Sequence, residues 1–268
     1  MRKIDFHTHL VPNYVSEEDF IRTMDENEME QAVVLAVPAH PRYSGYGNNE
    51  TVLDFYRQYP ERIVPGLYID PRTILDAQDK IKRARDRGIS LLKAWPAHGF
   101  RPDDPKLYPV WELMHQLGMA IVFHSGTLGG ASSTELAMAR ACRWNSSYGH
   151  PMYIDEPARL FPNLTFIYAH AAYPYTLAMM DISYAFKNVY VDFSCPVGFE
   201  GFNVIDKIRP SRLEYSRMLF GTDTAGGQQM EEYCQRGEQL AEGEGFAAQQ
   251  ENFMYRNAKA LLERIGAI

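Results

Sequence analysis

Lys3-Ile4-Asp5-Phe6-His7-Thr8-His9 opens the chain with a short apolar run that ends in two histidines separated by one residue. Side chains alternate along a strand, so His7 and His9 leave one face and Thr8 the other. Two imidazoles on one face, at the carboxyl end of a strand, are half of a metal site. Alone they read equally well as surface histidines, and the rest of the chain decides between the two.

Working outward, the same strand signature recurs at Gln31–Val37, Ile63–Ile69, Ile89–Ala94, Met119–His124, Leu164–His170, Val189–Phe193 and Met218–Gly221. Helical patterns fill the intervals. Ser16 with Asp19 forms a capping pair for a helix to about Met29, and Asp104-Pro105 starts one that runs to Leu117. Ser132 with Glu135 opens another to about Arg143, Pro71–Arg87 and Tyr173–Phe186 carry helical spacing, and Phe246–Ile265 closes the pattern. Eight strand-then-helix units in roughly 250 residues predict an α/β fold: a single, distorted (β/α)8 TIM-type barrel of parallel strands with outer helices. An open doubly wound sheet is the alternative, and no Gly-rich phosphate fingerprint follows any strand to favour it.

Bulk properties narrow the function. The 268 residues are 46% hydrophobic and 23% charged, enough for a large core, and no Pro/Gly/Ser-rich linker divides them, so one domain over 1–268 is expected. A net charge of −7 offers no footprint for nucleic acid or an anionic membrane. Cys142, Cys195 and Cys234 stand at unrelated spacings, which argues for a reducing compartment. With no signal-like or membrane-spanning run, a cytoplasmic protein is expected. Its partner is a small-molecule substrate, with no nucleic acid and no membrane, and the chain is compatible with a homo-oligomer.

In such a barrel, function gathers where strands end. Strand 1 ends at His7 and His9, strand 5 at His124, strand 6 at His170 and strand 8 at Asp223; four of the eight histidines fall at such ends. Three imidazoles and a carboxylate (His7, His9, His124 and Asp223) suit one divalent ion, Zn first and Mn as the alternative, with a position left for water. Such an ion makes hydroxide available near neutral pH. Asp223 then doubles as proton acceptor, and His170 serves as the catalytic acid/base.

These residues resemble a family. The Asp-x-His-x-His opening, strand-end histidines 124 and 170, Gly221-Thr-Asp223, Gly99-Phe-Arg-Pro-Asp-Asp-Pro105, Tyr108-Pro109 and Phe123-His-Ser-Gly126 are similar to the amidohydrolase superfamily. Within it they look like the amidohydrolase-related branch that includes aminocarboxymuconate-semialdehyde and dihydroxybenzoate-type decarboxylases, hydrolases and lactonases. The resemblance covers essentially the whole chain. It implies a distorted barrel with one metal on His7, His9, His124 and Asp223, and His170 as the catalytic imidazole. It implies no particular substrate. Many members carry Lys-x-His-Pro on strand 4, whereas this chain reads Lys93-Ala-Trp95-Pro96. The chain is also shorter than typical decarboxylases of the branch.

Lys93 has two readings. In binuclear members of the superfamily a carboxylated lysine at this strand bridges two ions, and His170 would hold the second. The simpler reading is an ammonium that pairs with a substrate carboxylate or an acidic neighbour. Trp95, on the same strand face as Lys93, and Arg143 are expected to contact substrate. His40, His98, His115 and His150 read as surface or packing residues. Asp192, ending strand 7, suits a hydrogen-bond partner of a ligating histidine or equally a cap for the next segment, and Cys195 has no positioned base to make it a nucleophile. The leading expectation is a metal-dependent hydrolase of a lactone, ester or amide. The alternatives are non-oxidative decarboxylation of an aromatic or unsaturated acid, and a ligand-binding barrel without catalysis.

Overall fold

The computed structural model describes residues 1–39, 43–127, 144–201, 205, 208, 212–243 and 246–268. His40, Cys142, Arg143 and the helix expected from Ser132 lie outside the described residues.

Eight strands pair in chain order, each parallel to the next. They are β1 (Lys3–Thr8), β2 (Met29–Leu35), β3 (Ile63–Tyr68), β4 (Leu91–Ala94), β5 (Ala120–Phe123), β6 (Thr165–Tyr168), β7 (Val189–Phe193) and β8 (Met218–Phe220). The seam between β8 and β1 closes through loop backbone. Thr222 and Asp223 donate their N–H groups to the His7 carbonyl at 3.1 and 2.6 Å, and His9 N–H reaches the Thr224 carbonyl at 2.8 Å. The chain is therefore a (β/α)8 TIM-type barrel.

Strand alternation builds two cores. Phe6, Leu35, Leu91, Val122, Ile167 and Leu219 point into the barrel. The opposite faces, such as Val34, Leu92, Phe123, Phe166 and Val191, pack under the helices. The barrel floor is sealed by a final helix, Asn257–Arg264, whose Leu261 and Leu262 join the inner set. Burying a side chain like Phe6, at 0% exposure, is worth about 3–5 kcal/mol against truncation to alanine.

The alternation also delivers the site. Two residues above inward Leu91, Val122 and Leu219 stand Lys93, His124 and Gly221, and Asp192 follows inward-facing Tyr190 on β7. β1 needs a further device. From inward Ile4 and Phe6, strict alternation would turn His7 outward. The β1–β2 register pairs Asp5 with Ala32 but Thr8 with Val34, so β1 carries one extra residue there. A bulge of this kind re-aims the side chains beyond it, and His7 and His9 turn to the mouth.

Helix starts follow the sequence signals where those are chemical. Ser16 accepts from Asp19 N–H and caps Glu17–Glu26; Asp104 accepts from Lys106 N–H, but at a 3-10 turn that precedes the α-helix Tyr108–Gln116. The expected tail helix is broken into a 3-10 turn Ala247–Gln249, a π-turn Asn252–Arg256 and the floor helix. No helix among the described residues is long and apolar enough to cross a membrane.

Candidate active site

His9 Nδ1 lies 2.8 Å from the Leu35 carbonyl, and a carbonyl only accepts, so that nitrogen carries the hydrogen. His7 Nδ1 lies 2.5 Å from Asp192 Oδ2 and donates to it, with Ser194 Oγ 3.1 Å away. Both rings therefore present an Nε2 lone pair to the mouth. These two Nε2 atoms stand 3.3 and 3.2 Å from one oxygen, Asp223 Oδ1. Donor atoms of His7, His9 and Asp223 all lie within 4.8 Å of one another. Two lone pairs converging on a carboxylate oxygen form an electron-rich pocket that a cation reconciles, so the donor set fits a divalent ion.

The other carboxylate oxygen, Asp223 Oδ2, faces His170 Nδ1 at 4.0 Å. His170 Nδ1 is 3.0 Å from Ser194 Oγ, and its Nε2 is 3.2 Å from His124 Nδ1. His124 thus meets the site through His170, outside the two groups of converging donors among the described residues, and its buried Nε2 has no partner. The second of those groups is His170, Cys195 and Asp223. Lys93, at 0% exposure, brings Nζ to 3.4 Å from His7 Nε2. Trp95 packs with its ring centroid 5.4 Å from that of His124.

The backbone of the mouth is held in unusual states. His170, Ala171, Ala172, Cys195 and Asp223 all have φ between 49° and 58°, a region that non-glycine residues seldom adopt. Strain of this sort persists where surrounding bonds enforce it and is common at functional sites. For Asp223 the enforcing bonds are its own N–H to His7 and the neighbouring Thr222. That threonine donates its N–H to Asp5 Oδ1 at 3.0 Å and its hydroxyl to Asp5 Oδ2 at 2.6 Å. Gly221 lets this seam close. A Cβ there would lie 2.8 Å from His7 Cβ and 3.0 Å from both Asp192 Oδ1 and Ser194 Cβ.

Burial and charge tune the groups. Burial lowers His170 to about 4 against the pull of Asp223, so the ring is neutral near pH 7. Burial, then Lys93, lowers His7, and burial, then His170, lowers His124. For Asp223, burial works upward, but His170, His7 and His9 together outweigh it and hold the carboxyl well below the usual range. Burial raises Asp5 and Asp192 to about 7 and lowers Lys93 to about 8, where Asp223 and Asp192 oppose it.

The structure thus brings together His7, His9, Asp223, His170 and Lys93, with Asp192 hydrogen-bonded to His7. It sets His124 one step away and Trp95 beside it. Sequence reasoning missed Ser194, which links His7 to His170, and Asp5, which fastens Thr222. Asp5 was visible in the opening motif, whereas nothing about Ser194 marks it before the fold is known. His115 accepts a hydrogen bond from Asn163 N–H on the outside of the barrel, away from the mouth.

The sequence model of a family described as Amidohydrolase matches residues 4–264. No curated protein matches the sequence. Among solved structures, an uncharacterised TIM-barrel protein from Bordetella bronchiseptica is similar at 20% identity and a TM-score of 0.72, covering 99% of this chain and 100% of its own. A 2,6-dihydroxybenzoate decarboxylase from Rhizobium is similar at 14% identity and 0.67, with 98% and 99% covered. A probable 2-pyrone-4,6-dicarboxylic acid hydrolase from Acinetobacter baumannii, with citric acid bound, is similar at 14% identity and 0.64, with 98% and 100% covered. At these identities the likeness is one of fold.

Proposed function

Because the chain belongs to the amidohydrolase family and is an enzyme, we propose that it is a metal-dependent hydrolase of a small organic substrate, a lactone, ester or amide. One observation carries this reading: the Nε2 atoms of His7 and His9 and the Oδ1 of Asp223 converge, with both Nδ1 atoms anchored by acceptors. We assign His7, His9 and Asp223 as ligands of one divalent ion, zinc or manganese; His124, expected as a fourth ligand, would have to turn from His170 to bring its unpartnered Nε2 to that ion.

A divalent ion held there would make a water nucleophilic near neutral pH and polarise a carbonyl. The chain's own residues do the rest. Asp223 is ionised and a quarter exposed, so it accepts the proton of an attacking water. Neutral His170, 4.0 Å from Asp223 Oδ2, receives that proton and passes it to the departing group. Ser194 holds the His170 and His7 rings in register.

Chelation followed by reloading tests the reading. The stripped protein should lose hydrolysis of a lactone, ester and amide panel and recover it with Zn²⁺ or Mn²⁺. Turnover that survives full metal removal would overturn it. Metal content distinguishes one ion per chain from a pair bridged by a carboxylated Lys93.

Lys93 favours a second reading, non-oxidative decarboxylation. A fully buried ammonium beside the donors would pair with a substrate carboxylate. In that case a proton taken up from solvent and relayed by His170 and Asp223 replaces the lost carboxyl group. Carbon dioxide release from dihydroxybenzoates without an oxidant separates the two.

A further inference from the structure

Cys195 stands at the barrel mouth and has no use in the chemistry above. Its backbone is left-handed, with φ at 57°, a state that a non-glycine residue keeps only where its surroundings enforce it. The bend opens the short helix Cys195–Glu200, whose Gly198 lies against the next loop: a Cβ there would come to 3.2 Å from His170 Cα. The thiol is so brought to His170 and Asp223. One donor atom from each of the three lies within 4.8 Å of the other two. Cys195 is half-buried and the Asp223 side chain a quarter exposed, so the group opens to solvent.

The donors suit an ion different from the one that His7 and His9 would hold. His170 Nε2 is 3.2 Å from His124 Nδ1, and with its hydrogen on Nε2 the ring keeps a lone pair on Nδ1. That Nδ1 faces Asp223 Oδ2 at 4.0 Å, while Asp223 Oδ1 is the oxygen met by His7 and His9. One carboxylate can hold an ion on each oxygen. Two cations so close repel, and a thiolate supplies negative charge that offsets the repulsion. Bonds of about 2.0–2.3 Å draw tetrahedral donors to about 3.5 Å apart, so a small inward turn of the side chains closes the site. Sulfur selects soft ions such as zinc and cadmium, whereas magnesium prefers oxygen donors.

We propose that Cys195, His170 and Asp223 form a second cation site, selective for thiophilic ions, that blocks the enzyme when filled. The thiol proton leaves to solvent as the sulfur–metal bond forms. The ion takes the His170 Nδ1 lone pair that would receive a proton from Asp223, so proton transfer stops. The blocking part rests on the roles proposed for His170 and Asp223, and the binding part does not. A pair of ions bridged by a carboxylated Lys93 needs no thiol and would survive the loss of Cys195.

The experiment titrates protein carrying one equivalent of zinc with Cd²⁺ and follows the ultraviolet thiolate-to-cadmium charge-transfer band. One equivalent of cadmium should raise the band in wild type. Cys195→Ser should keep its zinc and show no saturable band, although Cys142 and Cys234 are still present. His170→Gln keeps the thiol but should bind cadmium more than about tenfold more weakly, since loss of even an outer support costs that much. Turnover of the zinc-loaded wild type should fall as the band rises, and Cys195→Ser should stay active at the same Cd²⁺ concentration. Mg²⁺ in place of Cd²⁺ should leave wild-type turnover unchanged, a comparison that needs no variant. No saturable band below about 1 mM Cd²⁺, a band undiminished in Cys195→Ser, equal cadmium affinity in His170→Gln, or turnover that continues with the band at its plateau overturns the inference. Failure of the hydrolytic reading would show as turnover without metal, and leaves the cadmium band and its loss in Cys195→Ser in place.

Discussion

Asp192 Oδ2 lies 2.5 Å from His7 Nδ1, and both side chains are at most 1% exposed. The contact turns a residue on β7 into the support for a ring on β1. It sets which nitrogen of His7 carries the hydrogen and so leaves Nε2 open to the mouth. Supports of this type are worth about 10–100-fold in metal affinity. Replacing Asp192 with alanine should weaken zinc binding by that factor, measured by competition with a chromophoric chelator. Unchanged affinity would mean that His7 is held by Ser194 alone.

Asp223→Asn keeps the size of the side chain but removes the ionised proton acceptor. The expected loss in kcat is about 10²–10⁴-fold. Metal content measured alongside separates a chemical defect from loss of the ion. A variant that retains metal and turns over at the wild-type rate sinks the role given to Asp223.

His170 sets an acid limit. Burial lowers it to about 4, so between pH 6.5 and about 4 the unfolded chain takes up a proton that the folded one refuses. A group depressed in this way contributes stability in full above pH 6.5, and that contribution is lost as the pH falls towards 4. The amount is on the order of 3 kcal/mol. Asp5 and Asp192, raised to about 7, act in the opposite sense, so wild type alone is not diagnostic. The comparison is metal-free wild type against His170→Gln in urea denaturation at several pH values. Wild type should lose stability relative to the variant on acidification, and parallel curves would refute the assignment.

Gly221→Ala tests the seam. The added methyl meets His7 Cβ at 2.8 Å and two atoms of β7 and its loop at 3.0 Å, all within the barrel mouth. Crowding of this size costs about 1–3 kcal/mol, and relief must come from moving His7. We expect both a lower urea midpoint and a weaker hold on zinc. A destabilised protein with undiminished zinc affinity would show that the strain is relieved elsewhere.

Much of this molecule can be read along the chain. Alternation in Leu91-Leu92-Lys93-Ala94-Trp95 already places Lys93 and Trp95 on one face, and the Ser16 cap marks its helix start. The strand ends at His124, His170 and Asp223 stand where the barrel's chemistry gathers. Other features have no local signature. The bulge between Asp5 and Thr8 is visible only in the pairing of β1 with β2, and it reverses the face that simple alternation assigns to His7. The left-handed backbone at His170, Ala171, Ala172 and Asp223 belongs to residue types that rarely choose it.

The amino-acid order by itself determined the number and sequence of strands and the residue types offered at their ends, because periodicity is a local property of the chain. Only the tertiary structure decided which of those ends meet: Asp192 on His7, Ser194 between His7 and His170, and His124 on His170 instead of among the converging donors. The reason is physical. Periodicity states which face of an element seeks burial. The register, the bulge and the closure of β8 on β1 set which side chains arrive within bonding distance, and those depend on pairings between residues up to about two hundred positions apart.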